Sequence, residues 1–142
     1  MKYFDEIKKS MDWLNTKSDT LFLGQAVEYD GTAMTRTLRD VDASKKLEMP
    51  VNEEMQTGIT LGMALNGTVP ISIYPRWNFL LLGANQLVNH IDKIKIMSSG
   101  GYTPKIIIRT SIGSQRPLHP QHQHIADFTG GFKAMCDTID II

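Results

Sequence analysis

Three groups of residues in this 142-residue chain have the types and spacing to do chemistry. The first is Glu53, between Asn52 and Glu54. A carboxylate in the first turn of a helix is favoured by the helix dipole. Once buried, it can also hold a proton against the nitrogen of a heterocycle. The plainer alternative is that Glu53 and Glu54 only complement the dipole, as first-turn carboxylates commonly do. The second group is Tyr74, Trp77 and Phe79, directly after an apolar run. Flat ligands of open α/β sheets sit beyond the carboxyl ends of strands, where these rings would lie. For Phe79 the simpler reading is that it opens the apolar face of the next helix. The third group is His119-Pro-Gln-His122-Gln-His124, which holds three of the four histidines. With no cysteine in the segment, its spacing matches no closed zinc site, and no metal is expected. A solvated loop is the default; an imidazole facing a substrate is the sharper alternative. Ser98-Ser-Gly-Gly101 resembles a phosphate cradle but follows a helical pattern, whereas such loops precede one. It reads as a helix stop.

The elements that must position these residues follow from periodicity. Phe4, Ile7, Met11 and Leu14 are spaced for a helix over 4–15, and 21–23 reads as a short buried strand ending at Gly24. Tyr29-Asp-Gly31 is a turn signal, and 32–48 is polar, a loop with a helical turn. Asn52 is a cap for a helix running to Leu65, on which Met55, Ile59 and Met63 form one apolar face. Residues 69–74 form the next strand. The pattern over 79–97 predicts one long helix, with Leu80, Leu87, Val88, Ile91 and Ile94 inside and Asp92, Lys93 and Lys95 outside. Residues 105–109 are apolar enough for a central strand, and Ile139–Ile142 could start another. Strands separated by helices, with nearly continuous apolar runs, predict an α/β domain whose mostly parallel sheet is covered by helices on both faces. One domain over 1–142 accounts for the length. Ile142 lies within an apolar run, which suggests a very short last strand or a piece of a longer product.

Composition narrows the class. With 15 basic and 15 acidic residues the formal charge is zero, giving no electrostatic reason to expect nucleic acid or an anionic membrane as partner. A neutral surface favours association with protein. The single cysteine, Cys136, permits no internal disulfide, and no signal peptide or spanning run is present, so a soluble, cytoplasmic protein is expected.

Read together, the motifs resemble a known family. Pro50-Val-Asn-Glu53-Glu-Met-Gln-Thr-Gly58-Ile-Thr-Leu-Gly62-Met-Ala-Leu-Asn-Gly67-Thr-Val-Pro70 is similar to the segment around the cofactor-activating glutamate in beta subunits of pyruvate and branched-chain 2-oxo-acid dehydrogenases. Asn78-Phe79, Asn85-Gln-Leu-Val-Asn89-His-Ile-Asp-Lys93, Met97-Ser-Ser-Gly-Gly101 and Leu23-Gly24-Gln-Ala-Val27-Glu-Tyr-Asp-Gly31 continue the likeness, in order, from residue 20 to about 133. The resemblance implies the aminopyrimidine-binding, transketolase-like half of a thiamin-diphosphate enzyme. Glu53 would bond a ring nitrogen of the pyrimidine and favour its imino form, which removes the proton from the thiazolium carbon. Trp77, with Tyr74 as second candidate, would pack on the pyrimidine, and His119 or His122 would reach a small 2-oxo-acid substrate. Gln25 stands where the family usually has an acid, and Asn85 replaces its usual aspartate. The family's Gly-Asp-Gly diphosphate motif is absent, since Tyr29 precedes Asp30-Gly31. Diphosphate and magnesium would therefore be held by an alpha-type subunit, in a homo- or hetero-oligomer, and the chain would be inactive alone. The alternatives are a split transketolase-like component, for which Lys105, Arg109 and Arg116 hint at a basic cluster, and a non-catalytic assembly module.

Overall fold

The computed structural model describes residues 2–142. Four strands form one all-parallel sheet in the order β2-β1-β3-β4, with β1 Thr20–Gly24, β2 Lys46–Glu48, β3 Val69–Ile73 and β4 Ile107–Arg109. Helix α1 (Tyr3–Asn15) precedes β1, and a short α2 (Ala33–Arg36) lies between β1 and β2. Helix α3 (Glu53–Leu65) crosses from β2 to β3. The connection from β3 to β4 holds α4 (Trp77–Leu80), a 3-10 turn, a π-helical turn at Gln86–Ile91 and α5 (Ile94–Met97). Helix α6 (Thr129–Met135) follows β4.

The register explains how both faces are used. Phe22 pairs with Ile71 and Gly24 with Ile73, while Leu23 pairs with Ser72. Because side chains alternate across a strand, Phe22, Ile71 and Ile73 share one face. There they pack with Met11 and Leu14 of α1 and with Met34, Leu38 and Val41. Ser72 points to the other face, under α3, and a second cluster of Tyr74, Leu80, Leu87 and Phe132 continues on that side.

Several expectations are corrected. Residues 46–48 form a strand, which their lysine and glutamate concealed; β2 is a short charged edge, the kind that resists unwanted pairing. Strand 105–109 is not central but the opposite edge, and Ile107 is exposed accordingly. The helix expected over 79–97 is broken into four pieces. Asp92, expected outside, is fully buried. Its carboxylate accepts the backbone N–H groups of Asp137, Thr138 and Ile139, and the Thr138 hydroxyl donates to it at 3.0 Å. The side chain of Lys93 pairs with it at 2.7 Å. Burial opposes its charge, but these donors outweigh burial and hold its pKa far below the usual carboxylate range. Residues 139–142 form no strand; Ile139 and Ile141 pack against the second cluster instead.

Candidate functional site

Helix α3 is turned in an unexpected sense. Asn52 caps it, accepting the Met55 N–H at 2.9 Å, and the cap fixes Glu53 in the first turn. The inward face is Glu53, Gln56, Thr57, Thr60 and Ala64, whereas Met55 and Ile59 lie outward, each 38% exposed. The apolar face read from the sequence exists, but it faces away from the sheet. Inside, polar groups are matched to polar groups. The Gln56 amide donates to Ser72 Oγ at 3.1 Å and to the Ile73 carbonyl at 3.0 Å, and the Thr60 hydroxyl donates to Ser72 Oγ at 2.9 Å. Thr57 Oγ1 donates to the Glu53 carbonyl at 2.6 Å and lies 2.7 Å from the Tyr74 hydroxyl. Buried polar groups are tolerated when hydrogen-bonded, and such networks fix register more tightly than apolar contact does.

This seam places Glu53 at the carboxyl ends of β1 and β3. Its side chain is buried, with 3% of the residue exposed. Gln25, just beyond β1, donates its amide N–H to Glu53 Oε1 at 2.9 Å. The other carboxylate oxygen takes no hydrogen bond from the described residues and keeps some contact with solvent. Two glycines allow the crowding here. A Cβ on Gly24 would lie 2.1 Å from the Ile73 carbonyl oxygen. A Cβ on Gly83 would lie 2.3 Å from Thr57 Oγ1, so glycine lets the turn after α4 close on the start of α3.

The aromatic group divides in two. Tyr74 is fully buried, its hydroxyl committed to Thr57, and burial raises its pKa so that it stays protonated as a donor. Its ring is part of the protein interior. Trp77 is half-buried, stacks on Phe132 at 5.1 Å and lines a cavity of about 670 Å³ beside β4, together with Leu87, Ile91 and Ile139. It retains a surface for a ring to approach. Phe79 meets His124 edge-on at 5.4 Å.

The histidines also separate. His119 and His122 are exposed and meet each other edge-on at 5.6 Å. Neither is hydrogen-bonded to Glu53 among the described residues. His124 is the one seated against the body of the domain, where the 122–124 turn packs on α4. The sequence motif contained it, but nothing in the spacing singled it out. The basic residues do not gather. Lys105 precedes β4 and Arg109 ends it, and Arg109 pairs with Ile73, so its side chain lies on the α1 face, away from Glu53. There its guanidinium donates to Thr37 Oγ1 at 2.7 Å, and burial lowers its pKa to about 10, still charged at neutral pH.

With this geometry established, comparison with known proteins gives a direction. The chain is 28% identical over 132 residues to the mitochondrial pyruvate dehydrogenase E1 component subunit beta of Ascaris suum, covering 90% of this chain and 36% of the relative. It is 28% identical to the counterpart from Caenorhabditis elegans, covering 97% and 40%. With the subunit beta from Porphyra purpurea it shares 29% identity, over 84% and 37%. The chain is similar to pyruvate dehydrogenase beta subunits. It spans well under half the length of these relatives, and no family model matches it. Among the described residues no helix is long and apolar enough to cross a membrane.

Proposed function

We propose that this chain is the pyrimidine-binding half of a thiamin-diphosphate-dependent 2-oxo-acid dehydrogenase, in which Glu53 holds the ring-nitrogen proton. One observation carries the reading. Glu53 is buried at the strand ends with one oxygen held by Gln25 and the other left without a donor. An open carboxylate oxygen in a buried setting suits a ring N–H or a shared proton. The similarity to pyruvate dehydrogenase beta subunits supports the same assignment.

Glu53 fits the ring end of the cofactor, its carboxylate matching a pyrimidine nitrogen. Trp77 lines a cavity beside β4 that Glu53 does not line, so its place against the ring rests on the family resemblance. The diphosphate end has no Gly-Asp-Gly here, so it and its magnesium fall to an alpha-type partner chain. When bound, thiamin diphosphate supplies the nucleophile and the electron sink for decarboxylation. The chain's own residues do the rest on this side of the site. Glu53 places a proton at the ring nitrogen, and Thr57 and Tyr74 hold the turn that carries it. The 119–124 loop brings imidazole toward the 2-oxo acid, through His119 or His122 at its exposed end and His124 at its base. A sugar-phosphate substrate would need basic groups near Glu53, and Arg109 lies on the opposite face of the sheet. The outward face of α3, with Met55 and Ile59, starts two residues after Glu53 and is the surface offered to the partner. We place the assembly in the cytoplasm.

Capture of the tagged chain from its source cell, with assay of the captured material for thiamin diphosphate, tests this reading. The expected result is cofactor together with a second chain bearing a diphosphate motif. Neither, at good yield of folded protein, would overturn it in favour of a non-catalytic module.

A further inference from the structure

Gln25 sits between two backbone positions that L side chains seldom adopt. Gly24 has φ +146° and Ala26 has φ +57°. A positive φ at a non-glycine residue is strained and persists only where surrounding structure over-determines it. Here three anchors do so. The Glu48 carboxylate, at the end of β2, accepts the N–H groups of Ala26, Val27 and Glu28 at 2.7, 2.8 and 2.8 Å. The Thr35 hydroxyl donates to the Ala26 carbonyl at 2.7 Å, and Met49 N–H donates to the Gly24 carbonyl at 2.9 Å. Val27 is fully buried in the α1-side cluster. The one side chain that this strained, tightly held turn sends toward Glu53 is Gln25.

From this we infer that Gln25 is a positioning residue for Glu53, locked in place by Glu48. The inference rests on Glu53 being the proton-holding group. The Gln25 amide donates to Oε1 and so fixes the plane of the carboxylate, directing Oε2 at the ligand. Being neutral and not titrating, it neither repels the carboxylate nor competes for the proton. Glu48 acts on Glu53 through the turn it holds.

The test is a double-mutant cycle on the full chain without cofactor, by thermal unfolding of Gln25→Ala, Glu53→Ala and the pair. Loss of the Gln25 donor should lower Tm by roughly 5 °C in the presence of Glu53, and by under about 1 °C once Glu53 is alanine. Equal losses in both backgrounds would overturn the inference, since a packing role does not depend on the carboxylate. Should either alanine variant fail to fold, the side-chain amide signals of Gln25 in the NMR spectrum take its place. They should move on isosteric Glu53→Gln and again on Glu48→Gln; signals indifferent to both would equally overturn it. Because no cofactor is present, the two failures are distinguishable: a chain that couples Gln25 to Glu53 but never binds thiamin diphosphate would sink the functional reading and leave only the Gln25–Glu53 coupling standing.

Discussion

On the α1 side of the sheet, Phe22, Ile71 and Ile73 meet Met11, Leu14 and Leu38 in an apolar cluster. On the α3 side, Ser72 and Tyr74 meet Gln56, Thr57 and Thr60 through hydrogen bonds. Strand β3 and the residue after it supply both surfaces. Apolar contact is non-directional and tolerates small slips of a helix over a sheet, whereas hydrogen bonds lose strength steeply with misalignment. The apolar face therefore supplies much of the stability, and the polar face fixes the register of α3 and with it the aim of Glu53.

The largest expected stability effect breaks the apolar side. Phe22→Ala should cost about 3–5 kcal/mol in chemical denaturation, because it leaves a cavity at a fully buried site. A loss below about 1 kcal/mol would mean that this face does not dominate.

Asp92→Ala should cost about 2–3 kcal/mol, since it strips three backbone N–H groups and a lysine of their charged acceptor. This effect carries a pH signature. The folded-state pKa of Asp92 is depressed, so its contribution is present above the unfolded value of about 4 and is lost as pH falls further. The advantage of wild type over Asp92→Ala should be constant from pH 5 to 8 and should shrink steadily below pH 4. An advantage that grew on acidification would contradict the assignment.

The polar side is sharpened by a smaller effect. Ser72→Ala removes the acceptor shared by Gln56 and Thr60 and should cost about 1–2 kcal/mol. Replacing Gln56 by Leu and Thr60 by Val in the same chain should recover part of that loss, because the stranded side-chain groups are then gone while the Ile73 carbonyl loses its side-chain donor. Gln56 Oε1 is already buried without a partner, which points the same way. If the triple variant is less stable than Ser72→Ala, the seam contributes net stability and the contrast between the faces weakens.

The smallest stability effect is expected at the outward face of α3. Ile59→Lys should change stability by no more than about 0.5 kcal/mol, as expected at a partly exposed position. It should nonetheless reduce recovery of a partner chain when the protein is captured from cells.

This division was only partly legible in the sequence. The start of α3 was, because Asn52 and the first-turn carboxylates are local signals for a helix end. So were the apolar runs of β1 and β3 and the parallel arrangement. The orientation of α3 was not. Hydrophobic periodicity marks the apolar face of a helix, and here that face is outward while threonine and glutamine face the sheet. Asp92 was misplaced for a related reason: its charge argues for solvent, and the backbone groups that satisfy it lie 45 or more residues away. β2 carries no apolar run at all. At the site, Glu53 could be nominated from its helix position, but its partner Gln25 is 28 residues distant and stood out only as a departure from the family pattern. The resemblance ranked Trp77 ahead of Tyr74, and the structure separates them physically: Tyr74 lies in the interior and Trp77 on a cavity wall.

The most direct test of the central claim is Glu53→Gln in the protein assembled with its partner, assayed for decarboxylation of a 2-oxo acid. The substitution keeps the shape and the Gln25 contact but removes the proton-holding carboxylate. Activity should fall by about 10²–10⁴-fold while fold and partner capture are retained. Activity within a factor of a few of wild type would show that Glu53 does not place the proton and would contradict the account.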